Sequence, residues 1–121
     1  ISQLREVRAR FTACAACAWA RVYFSVCFNV HLNLATIHPW VDGNGRTARM
    51  LMNYIQFYYR LFPTKIFKED REEYILSLRQ CQEEEVNLPF LDFMAAQLKK
   101  SLSLEIERFD ASQKKKFSFM F

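Results

Sequence analysis

At 121 residues the chain fits a single domain of ordinary size, and with 51% hydrophobic and 25% charged residues it is too apolar to stay disordered. Its net charge of +4 owes much to Lys114, Lys115 and Lys116, so the body is close to neutral and offers no basic stripe for nucleic acid. Arg10, Arg21 and His31 break the apolar N-terminal third, leaving no run near the roughly 20 residues a membrane span needs. Neither nucleic acid nor a membrane is therefore expected as a partner.

The chain opens at Ile1 with Arg5 and Glu6 close behind, which is not the layout of an intact signal peptide and suits a stretch that begins inside a longer protein. Cys14, Cys17, Cys27 and Cys81 include one C-x-x-C pair, but no second ligand pair follows it as a zinc site requires. Small apolar residues on a helix in a reducing cytoplasm account for them.

Residues Ile1 to Ala20 read as helical. Val22, Phe24, Val26, Phe28 and Val30 then alternate with Tyr23, Ser25, Cys27, Asn29 and His31 in the period of a strand. No second alternating run exists to pair with it, and a lone strand leaves its backbone groups unsatisfied, so helix is favoured here. After a special turn, Met50, Leu51, Tyr54, Ile55, Tyr58 and Leu61 form an apolar stripe at three- and four-residue steps on a helix that starts near Asn44 and ends before Pro63. Tyr74, Ile75, Leu78 and Cys81 repeat the pattern after an acidic start at Glu69 and Asp70. Asn87 is placed to cap a last helix with Pro89 in its first turn and Phe90, Phe93, Met94, Leu98, Leu102 and Ile106 on its buried face. The expectation is one all-α domain over residues 1–121, a helical bundle with a basic, aromatic tail at 110–121.

The chain has two glycines, and both fall in the stretch His38-Pro39-Trp40-Val41-Asp42-Gly43-Asn44-Gly45-Arg46-Thr47-Ala48-Arg49, directly before an amphipathic helix. Glycines let successive backbone N–H groups turn toward one point, and the helix adds its positive end, so this is a candidate phosphate site. Arg46 and Arg49 lie one turn apart on one helix face, where both guanidinium forks can reach phosphate oxygens. Asp42 is a hard oxygen ligand suited to Mg²⁺ shared with those phosphates. His38 carries the one side chain that ordinarily changes charge near neutral pH, and so is the candidate base. Singly, each of these residues is commonplace: a structural His, an ordinary turn, a solvated Arg pair. Their coincidence with every glycine of the chain argues against a purely structural turn. Neither G-x-x-x-x-G-K-[ST] nor G-x-G-x-x-G occurs, which excludes the two commonest phosphate loops.

The stretch resembles the Fic family signature H-P-F-x-[DE]-G-N-G-R-x-x-R, with Trp40 in place of Phe as the one departure. His31, seven residues before His38, Met52-Asn53, Arg71-Glu72-Glu73-Tyr74, Leu78 and Pro89-Phe90 extend the resemblance over about residues 31 to 98. It implies a Fic-type all-α bundle with the motif loop between two central helices, and transfer of AMP from ATP, with Mg²⁺, to a Tyr, Thr or Ser hydroxyl of a target protein. In that scheme His38 is the base and Asp42 holds the metal. Gly43, Asn44 and Gly45 form the anion hole, Arg46 grips the outer phosphates, and Arg49 supports them or binds Asp42. Tyr74 and Gln82 fall where family members contact the nucleoside. Trp40 is expected to anchor in the core as the family's Phe does.

Family members also carry a hairpin flap that aligns the target's backbone by strand addition. In this sequence it belongs either before Ile1 or, as a remnant, in the Val22 to Val30 alternation. The resemblance further implies an inhibitory helix or antitoxin as a partner. Ser101 to Glu105 follows the first five positions of the inhibitory pattern [ST]-x-x-x-E-[GN], but Ile106 breaks it, and Glu105 reads as a solvated side chain. Two rival readings are a helical module that binds nucleotide or a partner without transfer, and a kinase-like relative. The second glycine and Arg46 weigh against the latter.

Overall fold

The computed structural model describes residues 15–119, with side chains described from Ala18 to Gln113. Helix α1 spans Ala15–Ile37, α2 Asn44–Tyr58, α3 Arg71–Glu84 and α4 Leu88–Phe119, with a 3-10 turn at Lys68–Asp70. No strand occurs among the described residues, and the fold is all-α as expected. The residues fall into two compact units, Ile1–Leu61 and Phe62–Phe121.

In the first unit α1 and α2 pack as a hairpin across the motif loop. The Val22 to Val30 alternation is helical, because what packing selects is Cys27, Phe28, His31 and Leu32, buried at one-, three- and four-residue steps. Rings four residues apart reinforce the helix, Trp19 with Tyr23 and Phe24 with Phe28, and the Asn29 side chain donates back to the Ser25 carbonyl at 2.9 Å. This removes the reading of that alternation as a strand remnant of a flap. Of the Ile1 to Ala20 helical stretch, Ala15 onward is helix; the remainder, with Cys14, lies outside the described residues.

The apolar stripe expected to be buried on α2 is corrected. Met50, Tyr54 and Tyr58 are exposed, and the covered row is Asn44, Ala48, Met52 and Gln56. Four-residue periodicity is present in both rows, and α1 accepts the one in which the small Ala48 allows close approach of the helix axes. Helix α2 ends in a Schellman turn, with Leu61 N–H on the Gln56 carbonyl at 2.8 Å and Arg60 N–H on the Phe57 carbonyl at 3.0 Å. Arg60, at φ 56°, occupies the left-handed position that glycine usually takes.

In the second unit α3 packs on α4. Tyr74 is buried with its ring 6.2 Å from that of Phe90 and 6.0 Å from that of Phe93. Phe90 and Met94 are fully buried, each contributing roughly 1.5–3 kcal/mol by leaving water. The face of α4 differs from expectation beyond Leu98: Leu102 and Ile106 are exposed, while Gln97 and Ser101 are covered. Gln97 is there for its hydrogen bonds, accepting from Phe67 N–H at 3.1 Å and donating to Asp70 at 2.8 Å. Lys100 joins the same carboxylate at 2.8 Å and Glu69 at 3.0 Å, with its ammonium 4.5 Å from the Phe67 ring centre. These contacts tie the turn before α3 to the side of α4. Residues 110–119, read as a tail, continue α4 without a break.

Candidate active site

The site is built on the loop that joins α1 to α2. Pro39 disfavours helical geometry at the residue before it, and α1 stops there. His38 turns out at φ 51°, and its N–H closes onto the Leu34 carbonyl at 3.1 Å, an αL helix cap. A non-glycine residue in this region is uncommon and costs energy, and here it falls on the candidate base. The imidazole is exposed, with Nδ1 3.4 Å from the Ala35 carbonyl oxygen. In the tautomer that donates along this long contact, Nε2 carries the lone pair on the open side.

The other end of the loop is fixed by Asn44. Its carboxamide accepts the Trp40 N–H at 3.0 Å and donates to the Trp40 carbonyl at 2.6 Å, and the residue is almost fully buried. The Asn44 side chain therefore holds the loop, and what it offers an anion is its backbone N–H. The Trp40 ring is 49% exposed, which corrects the expectation of a core anchor: the loop is gripped through the backbone of this residue rather than its indole. Gly43 stands before α2 at φ 87°, where a side chain would be strained. The Thr47 N–H is bonded to the Gly43 carbonyl at 2.9 Å, so the N–H groups of Asn44, Gly45 and Arg46 form the open end of the helix.

Asp42 accepts the Gly43 N–H at 2.6 Å on one oxygen and Arg46 at 3.0 Å on the other. Both side chains of the ion pair are largely exposed, which limits it to about 0–1 kcal/mol, a tie that a phosphate or cation can replace. Among the described residues no cluster of three metal-ligating side chains occurs. A lone carboxylate still fits Mg²⁺, which keeps most of its waters and takes its remaining ligands from phosphate.

Arg49 lies a turn beyond Arg46 and is half-buried. Its charge reaches His31, which is fully buried on α1; burial first, and then that charge, push the His31 imidazole down to about 4. The sequence places His31 in the alternating run and seven residues before His38, but does not show it as a neighbour of Arg49. Its place on the row with Cys27 and Leu32, facing the motif helix, was the physical signal.

The structure thus gathers His38, Asp42, Gly43, Asn44, Gly45, Arg46 and Arg49 on one loop and the helix that follows it. Tyr74 and Gln82 belong to the second unit, the first in its core and the second exposed on α3. Glu105, also in that unit, meets Arg108 at 2.9 Å and Lys65 at 4.0 Å.

Residues 7–56, covering the whole motif loop, match the model of the Fic/DOC family. This stretch of the chain is similar to the Fic/DOC family. Similar proteins include protein adenylyltransferase Fic of Drosophila mojavensis and of Drosophila melanogaster, each 40% identical over 74 residues, and that of Drosophila grimshawi at 39%. The similarity covers 61% of this chain but only 14–15% of the length of those relatives. No helix of the described residues is long and apolar enough to cross a membrane.

Proposed function

We propose that this Fic segment is the transfer site of a protein adenylyltransferase, moving AMP from ATP to a Tyr, Thr or Ser hydroxyl of a target protein. The observation that carries the reading is the loop itself, which holds an exposed imidazole at one end and an open helix N-terminus with Arg46 at the other, and is clamped between them by Asn44. His38 Nε2 takes the proton as the hydroxyl oxygen attacks the α-phosphorus of ATP. The bond to the bridging oxygen breaks, and pyrophosphate leaves with the electron pair. The N–H groups of Asn44, Gly45 and Arg46 face the phosphate oxygens, and Arg46 and Arg49 balance the charge of the leaving group. Asp42 is the residue that would hold Mg²⁺, whose chemistry is to offset phosphate charge. Tyr74 and Gln82 are assigned to the nucleoside on family resemblance, and a reducing cytoplasm is the proposed setting for the free thiols Cys27 and Cys81.

The test is incubation of this chain and its His38→Ala variant with α-labelled ATP, Mg²⁺ and a host lysate. Labelled protein is expected with the native chain, and a loss of about a hundredfold or more with the variant. Thermal stabilisation by ATP without any labelled product would instead identify a nucleotide-binding module that does not transfer.

A further inference from the structure

We propose that His31 is a positioning residue for Arg49, an imidazole sealed in the seam between α1 and α2 that braces the guanidinium of this half-buried arginine for the phosphate site. The proposal rests on the assignment of Arg49 to nucleotide phosphate made above. The register of the hairpin carries it. The loop brings Ile37 and Asn44 to one end, and the ring of Tyr23 meets that of Tyr59 at 4.5 Å toward the other. His31 stands six residues before Ile37 and Arg49 five after Asn44, so the two lie at the same level of the seam. His31 is on the covered face of α1 with Cys27, Phe28 and Leu32, and its exposure is 0%. Ala48 and Met52, on either side of Arg49, are covered as well, so α2 presents this level to α1.

The chemistry of the pair is one-directional. A half-buried guanidinium has five N–H donors and no acceptor, and its position is set by whatever acceptors and flat surfaces its neighbours supply. A neutral imidazole supplies both, whereas an imidazolium would repel the guanidinium. The low titration of His31 keeps it neutral at physiological pH, the form that the brace needs. Because Arg49 sits in the second turn of α2, a small change in its stem direction displaces its guanidinium from the phosphates over the first turn.

The test is a double-mutant cycle read by calorimetric titration with ATP and Mg²⁺ on the native chain, His31→Leu, His31→Gln, Arg49→Ala and His31→Leu/Arg49→Ala, with a thermal melt of each to verify folding. His31→Leu is expected to weaken ATP binding on the order of tenfold when Arg49 is present and to add nothing once Arg49 is removed. His31→Gln, which keeps an acceptor, is expected to recover most of the affinity. Equal losses from His31→Leu in both backgrounds would make His31 a plain core residue and overturn the proposal. If the native chain binds no ATP, the nucleotide reading falls by itself, and the brace is then decided by NMR titration of the imidazole. Arg49→Ala must raise the His31 midpoint, and an unmoved midpoint overturns the pairing.

Discussion

The Asn44 carboxamide meets the backbone of Trp40 twice, accepting its N–H at 3.0 Å and donating to its carbonyl at 2.6 Å, and so closes the motif loop on itself. Four residues of loop are thereby fixed by one side chain standing at the first position of α2. Asn44→Ala removes both bonds and leaves two part-buried backbone groups of Trp40 without this partner, at an expected cost of about 1–3 kcal/mol by chemical denaturation. Asn44→Asp keeps the acceptor but sets a carboxylate against the Trp40 carbonyl, so it should destabilise comparably. The exposed Asp42–Arg46 pair gives the contrast. Asp42→Asn should shift stability by less than about 1 kcal/mol while weakening Mg²⁺-dependent ATP binding.

The two glycines predict opposite stability effects. Gly43, at φ 87°, has no clash awaiting a side chain, the Arg46 guanidinium being 3.6 Å from a built Cβ, so the cost of Gly43→Ala is conformational, about 1–2 kcal/mol. Gly45 lies inside α2 without a positive φ, and helix propensity alone makes Gly45→Ala stabilising by about 0.5–1 kcal/mol. A glycine kept where alanine is more stable points to close approach by a ligand. Gly45→Ala is therefore expected to melt higher than the native chain yet bind ATP less well, and undiminished binding would remove the reason for this glycine.

Much of this site was legible because its chemistry is local. His38, Asp42, the glycines and both arginines lie within twelve residues, and a loop followed by a helix is what Pro39 and the two glycines dictate. What escaped depended on contacts between elements. Trp40 reads as a core aromatic, but the bonds of its backbone to Asn44 fix the loop with the indole half in solvent. On α2 two rows share a four-residue repeat, and only the face of α1 decides that Ala48 and Met52 are covered while Met50 and Tyr54 are not. The polar residues Gln97 and Ser101 take core positions on α4 for which periodicity nominates Leu102 and Ile106, because the turn ahead of α3 needs the hydrogen bonds of Gln97.

His38 and Arg60 both hold positive φ, at 51° and 56°, and both cap helices of the first unit. Replacing either with glycine removes the left-handed penalty and is expected to stabilise that unit by about 1 kcal/mol in denaturant titration. The two should part in function. Arg60→Gly is expected to leave the proposed AMP transfer intact, whereas His38→Gly should lose it about as completely as His38→Ala. Strain relieved with activity lost would mark His38 as held in its backbone geometry for its imidazole. If His38→Gly is no more stable than the native chain, the αL cap carries no strain.

The pH dependence of stability follows from His31. Its midpoint in the folded chain is about 4, against 6.5 for the ordinary imidazole, so between these values the unfolded chain binds a proton that the folded one refuses. Stability must then fall as pH drops through this window, by about 1.4 kcal/mol per unit for one such group. Glu69 and Asp70, held low mainly by hydrogen bonds, including those from Lys100, work in the same direction but further toward acid. Their contribution is lost only once pH falls below about 4.5 and 3.8, where the unfolded carboxylates begin to protonate. The interval from pH 6.5 down to about 4.5 therefore isolates the histidine. Denaturation series across it should show a descending limb in the native chain that is abolished in His31→Gln and unaffected by Lys100→Met. Arg49→Ala should alter the limb only at its acid end, the Arg49 charge being the smaller of the two causes, because burial still disfavours the imidazolium after the neighbouring charge has gone. Arg49→Ala, by removing a like charge, raises the folded midpoint, so the limb bottoms out at a higher pH and its total depth shrinks.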